Sequence, residues 1–259
     1  VRALTEPGDG VLIQEPVYYP FRKAIENNGR KVVNSPLVLK DGRYEMNFPD
    51  MEEKIKSRNV KLFILCSPHN PVGRVWTDEE LRTVGEICRR CGVTVVSDEI
   101  HCDFTRKGHV HHVFASAGED FGQFSIICTA PSKTFNLAGL QTSNLWIPNP
   151  EIRQKIQDEI RNTGWAGLNL MGLAACEAAY RGGETWLEEL KVYLEGNLQF
   201  MDTYLKEHVP QVKLIQPEGT YLVWLDCTEL GLSGEALDHF MEEKAGLWLD
   251  GGSMFGEGG

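Results

Sequence analysis

The sequence is short of positive charge: Lys and Arg total 26 against 37 Asp and Glu, a formal net charge of −11. Phosphate backbones are bound by basic surfaces, so this balance argues against a nucleic-acid-binding role. It equally disfavours docking on an anionic membrane. No uninterrupted apolar run approaches the roughly 20 residues needed to span a bilayer. Internal repeats and low-complexity tracts are lacking. With 42% hydrophobic and 24% charged residues, collagen, coiled coil and disorder are excluded. A starting Met is missing too. The chain opens at Val1, in what reads as a helix end, and stops at Gly258-Gly259. It is therefore expected to be part of a longer protein. The seven cysteines (Cys66, Cys88, Cys91, Cys102, Cys128, Cys176 and Cys227) are odd in number, and several lie in apolar runs. That pattern fits reduced, buried thiols in a cytoplasmic protein and not a disulfide framework.

Short β-rich runs alternate with amphipathic helical stretches, which predicts βαβ units and a largely parallel sheet. The strands are expected at 11–14, 31–36, 60–66, 93–97, 125–129 and 142–147. Most are rich in Val, Ile, Leu or Phe, as strands covered on both faces are. Helices are expected at 19–28 and 77–91. The second opens with Thr77-Asp78-Glu79-Glu80, a capping box. Beyond Asn149 the pattern changes to three helices, at 150–162, 168–180 and 184–207. Strand-like pieces at 212–215 and 220–226 follow, then a short helix at 233–244. The expected organisation is a large α/β domain over 1–181 and a small α+β domain over 182–259, with a hinge near Gly182-Gly183.

Ligands of an open parallel sheet sit beyond the carboxyl ends of its strands. Three successive strand ends carry Ser67-Pro68-His69-Asn70-Pro71-Val72-Gly73, Ser97-Asp98-Glu99-Ile100-His101 and Thr129-Ala130-Pro131-Ser132-Lys133-Thr134-Phe135. An amide, a carboxylate and a lysine would thus face one crevice. A lysine held in a partly dry pocket loses basicity, and its free amine attacks carbonyls. A carboxylate beside a pyridinium nitrogen would hold that ring protonated and make it an electron sink. Asn70 could donate a hydrogen bond to a ring oxygen. Together these groups describe pyridoxal 5′-phosphate (PLP) chemistry. Taken singly, each residue has a plainer reading. A loop lysine is usually solvated. Asp98 could cap a helix, and Asn70 could bond its own backbone in a turn. His101 could be a packed core histidine.

On the residues Ser67–Gly73, Ser97–His101 and Ser132–Leu140, in this order, the chain resembles the fold-type-I PLP enzymes, the aspartate-aminotransferase superfamily. The resemblance runs over essentially the whole chain. It implies a PLP-transferase-like large domain with a mostly parallel sheet between helices, and a small α+β C-terminal domain. By resemblance, Lys133 would be the covalent attachment point and catalytic base. Asp98 would pair with the pyridine nitrogen, Asn70 with the phenolic oxygen, and Ser132 with the phosphate. Tyr18, in Pro16-Val17-Tyr18-Tyr19-Pro20, would stack on the ring, with Tyr19 as competitor. A homodimer with shared active sites is also implied.

Three departures bear on activity. Ala130 stands where many aminotransferases have Ser or Gly, and Gln141 where an Arg is common, so the phosphate site looks less cationic. His101 occupies the place of a ring-contacting Tyr. In this it is similar to the MalY/PatB-type branch, which contains cystathionine β-lyases and related carbon–sulfur lyases. The implied activity is β-cleavage of a sulfur amino acid to thiol, pyruvate and ammonia. Transamination on the same fold is the alternative, and a catalytically weak regulatory or interaction protein a second one. No metal site is expected. Cys88-Arg89-Arg90-Cys91 has ligand spacing but no second pair, and His109-Val110-His111-His112 reads as a surface loop without an acidic partner.

Overall fold

Val60–Cys66 (VKLFILC) alternates its side chains between two covered faces, so both sets must be apolar. Leu62, Ile64 and Cys66 join Val11, Ile13, Val17 and Ile25 on one face. Phe63 and Leu65 join Met51, Ile55, Leu81, Val84, Ile87 and Phe114 on the other. This two-sided core organises the computed structural model, which describes residues 1–259.

The strands and helices of the first part are β1 (Gly10–Ile13), α1 (Pro20–Glu26), β2 (Lys31–Asn34), β3 (Val38–Lys40), β4 (Arg43–Glu45), α2 (Phe48–Ser57), β5 (Val60–Cys66), α3 (Asp78–Cys91), β6 (Thr94–Asp98), β7 (Ser125–Thr129), α4 (Pro131–Thr134) and β8 (Asn144–Trp146). The main sheet runs β2-β1-β5-β6-β7-β8. Its first five strands are parallel and β8 is antiparallel to β7. The expected α/β class with a mostly parallel sheet is therefore observed. β5 and β7 keep their expected bounds. The hairpin β3–β4 and the helix α2 lie in a stretch to which no element was assigned.

α3 begins as its capping box requires. Glu80 N donates to Thr77 Oγ1 at 3.2 Å, and Thr77 N donates to Glu80 Oε2 at 2.8 Å. It ends at Gly92, whose φ of 67° is left-handed. The second part holds α5 (Pro150–Asn162), α6 (Leu170–Gly182), α7 (Glu184–His208), β9 (Lys213–Ile215), β10 (Trp224–Asp226) and α8 (Glu235–Glu243). β9 and β10 pair antiparallel, and Gly183 separates α6 from α7. The last residues return to the first strand: Val17 N donates to Phe255 O at 3.0 Å, and Glu257 N to Glu15 Oε2 at 3.0 Å. No helix is long and apolar enough to cross a membrane.

Candidate active site

The register of the sheet brings the strand ends level. Cys66 of β5 lies opposite Asp98 of β6, and Asp98 opposite Cys128 of β7. Residues that follow these positions therefore emerge side by side at the carboxyl edge, as an open α/β sheet dictates. Asn70 follows β5, Asp98 ends β6, and Lys133 sits on α4, directly after β7. Tyr18 follows β1 and joins them: its N–H donates to Asn70 O at 3.1 Å.

Burial shapes the electrostatics. Burial pushes the Asp98 carboxyl up to about 6. The Ile100 N–H at 3.3 Å and the nearby Lys133 charge pull it down, while Glu99 pushes it further up. Burial likewise presses His101 down to about 4, and Lys133 lowers it further. The Lys133 charge thus bears on both Asp98 and His101, from the half-buried position the amine occupies on its short helix. Ser132 precedes it, half-buried, on the first turn of that helix. Thr134 Oγ1 donates to Asp103 Oδ2 at 2.7 Å, which ties this turn to the loop after β6.

Two polar atoms in the crevice are buried without partners: Asn70 Oδ1 and His101 Nδ1. Buried polar atoms are nearly always satisfied, so exceptions need a reason. Asn70 does not close a turn with its own side chain, as the plainer reading had it. Asp98 does make one local turn bond, through Ile100 N, and is otherwise a half-buried acid near the Lys133 charge. Tyr18 and Tyr19 both lie at this edge, with ring centroids 5.6 Å apart, and Tyr18 meets Phe21 edge-on at 5.7 Å. A carboxylate, an amide, an imidazole, an amine and an aromatic face are the groups that a protonated heteroaromatic aldehyde calls for. The orphaned Asn70 and His101 atoms leave polar capacity for it. The residues present fit PLP.

Several neighbours were not legible beforehand. Glu99 is buried and accepts from Ser97 Oγ at 2.8 Å, Phe114 N at 3.0 Å and His111 Nε2 at 2.8 Å. His111 is therefore not a bare surface residue; a buried acid at the end of β6 is its partner. Tyr221 packs its ring 5.5 Å from that of His101. All seven cysteines are free, and Cys88 lies in the core. No group of three or more His, Cys, Asp or Glu residues is arranged to hold a metal ion.

Comparison with known proteins identifies the family of the chain. The model of the family "Aminotransferase class I and II" matches residues 1–257. The cystathionine beta-lyase PatB of Bacillus subtilis is 47% identical over 259 residues, covering 100% of this chain and 67% of that protein. The structure of cystalysin from Treponema denticola, which contains a pyridoxal 5′-phosphate cofactor, superposes with a TM-score of 0.97 at 40% identity. It covers 100% of this chain and 66% of that one. The PLP-bound C–S lyase from Staphylococcus hominis superposes with a TM-score of 0.92 at 36% identity, covering 98% and 65%. The chain thus spans about two thirds of the length of the proteins it matches.

Proposed function

Because the chain belongs to the class I and II aminotransferase family, we propose that its carboxyl-edge crevice binds PLP and serves carbon–sulfur β-cleavage of a sulfur amino acid. The observation that carries this is the set of three adjacent strand ends. They bring Asn70, Asp98 and Lys133 to one edge, with the Lys133 charge acting on Asp98 and His101.

Lys133 is the attachment point and Asp98 the partner of the ring nitrogen. Asn70 and His101 serve the ring oxygen, Tyr18 the ring face and Ser132 the phosphate. When bound, PLP supplies an electron sink for the pair left at Cα after proton loss. The protein's own groups do the rest. Asp98, raised by burial only to about 6, is ionised at neutral pH, and its negative charge stands where a protonated ring nitrogen needs it. The Lys133 amine takes the Cα proton at Nζ as general base. Asn70 Oδ1 and His101 Nδ1 have no internal partner, so neither the amide, whose Nδ2 is the donor to the ring oxygen, nor the imidazole is held there by a competing bond. With sulfur on Cβ, the C–S bond breaks and the thiolate leaves. The balance for cystathionine plus water is homocysteine, pyruvate and ammonia.

The same groups serve transamination, and solved neighbours include a PLP-bound protein described as a putative aminotransferase. His101, in place of a phenol, favours the lyase assignment, as do the C–S lyases among the relatives. We further assign the protein to the cytoplasm, on its seven free thiols, and to a homodimer. Residues 1–181 and 182–259 would form two domains about Gly182-Gly183. The test is to incubate the protein with PLP and cystathionine, without an amino acceptor, and measure pyruvate and free thiol. Equimolar release of both is expected. Turnover that requires a 2-oxo acid would assign transamination instead, and no turnover with either would remove the enzymatic reading.

A further inference from the structure

His101 is buried, and its Nδ1 has no partner. What walls it in comes from far along the chain. The Tyr221 ring lies 5.5 Å from the imidazole at 48° and meets buried Phe104 edge-on at 5.3 Å. Tyr221 itself is 38% exposed, so part of its ring borders open space. The residue before it, Thr220, has φ of +67°. A β-branched residue in the left-handed region is strained, and such strain persists only where its surroundings hold it.

The surroundings do hold it. Gly73 O accepts from both Glu218 N (2.8 Å) and Gly219 N (3.0 Å), and Phe104 O accepts from Thr220 N (2.8 Å). Arg106 N donates to Glu218 O at 2.9 Å. The Glu218 carboxylate accepts from Arg43 Nε at 2.7 Å, and from Arg74 Nε and Val75 N at 2.9 Å each. Arg74 is itself buried, bound by both Glu80 oxygens, and lies over the Trp76 ring at 4.5 Å. Gly73 has φ of +72°, and a Cβ there would lie 2.6 Å from Pro217 Cβ. The 217–221 segment is thus pinned between the loop that carries Asn70 and the turn that carries His101.

We propose that Tyr221 is a positioning residue for the site: its ring fixes the His101 imidazole and keeps water from it, and the Glu218 clamp sets that ring in place. The role in cofactor binding rests on the PLP reading above. Of the charged groups, Lys133 on α4 is the one whose field reaches His101; Tyr221 is the other titratable side chain packed on it.

The test compares wild type, Tyr221→Phe and Tyr221→Leu by two measurements. Histidine NMR of the cofactor-free protein follows protonation of His101. PLP titration by visible absorption gives affinity. Wild type and Tyr221→Phe are expected to keep His101 neutral down to about pH 4 and to bind PLP equally. Tyr221→Leu is expected to protonate His101 at least tenfold more readily at a given pH, and to bind PLP at least tenfold more weakly. Glu218→Gln is expected to move both readouts in the same direction. An unchanged His101 titration in Tyr221→Leu, or a Tyr221→Phe that behaves like it, overturns the proposal. So does a changed titration with unchanged PLP affinity. Failure of wild type itself to bind PLP would instead overturn the functional reading.

Discussion

Acidification from pH 7 to pH 5 should weaken the fold, and by a predictable amount. Three buried groups bind protons abnormally in this window. Burial holds His69 down to about 4, against its bond from Nε2 to Pro16 O at 2.9 Å and helped by the Arg74 charge. His101 is also held at about 4, and Asp98 is raised to about 6. An unfolded histidine takes up its proton near 6.5 while the folded one refuses it, so each depressed histidine loses stability as pH falls below 6.5. Asp98 runs the other way: the folded state gains a proton near 6 that the unfolded chain does not take until about 4. Integrated over the window, each of the two histidines costs about 2 kcal/mol and Asp98 returns about 1, a net loss of about 3 kcal/mol. Asp98→Asn removes the opposing contribution and should deepen the loss to about 4 kcal/mol. Glu218 and Asp226, whose carboxyls are lowered, act only below this window. Urea unfolding at the two pH values, followed by tryptophan fluorescence, measures the difference. A wild-type stability that is flat or rises on acidification would refute the burial argument, as would an Asp98→Asn variant less pH-sensitive than wild type.

Two further substitutions separate folding from binding. Asn70→Ala removes a side chain whose Oδ1 has no internal partner. Its unfolding free energy should change by less than about 1 kcal/mol, while PLP titration should show affinity reduced about tenfold. Gly73→Ala should destabilise by roughly 1–3 kcal/mol in the same urea assay, because the new Cβ meets both a positive φ and Pro217.

The parts of the fold legible in the sequence were those decided by local pattern. Val60–Cys66 and Ser125–Thr129 are apolar runs bounded by polar residues, and the structure keeps their ends. Thr77 and Glu80 announced the start of α3 through a purely local exchange of hydrogen bonds. The hairpin β3–β4 carries its own signal, Asp41-Gly42, where both residues take positive φ as a tight hairpin turn needs. α2 buries only Met51 and Ile55, with Phe48 half-buried against the same core, in a strongly charged stretch, so its period is faint. The reversed direction of β8 depends on the path taken after α4, which no local pattern encodes.

The candidate site divides in the same way. Asn70, Asp98 and Lys133 could be read because strand ends are predictable and the sheet then brings them level. Tyr221 and Glu218 could not, because they reach the site through contacts more than 100 residues distant in sequence. His111 was misread for a similar reason. Its partner Glu99 is buried at the end of β6, and a polar loop gives no hint of where it folds back.

The amine of Lys133 is the group on which cofactor attachment depends. PLP-loaded protein reduced with borohydride and digested for mass spectrometry should carry the pyridoxyl adduct on Lys133, and Lys133→Ala should carry none and lose the visible absorption of bound cofactor. An adduct on a different lysine, or a Lys133→Ala protein that keeps that absorption, would contradict it.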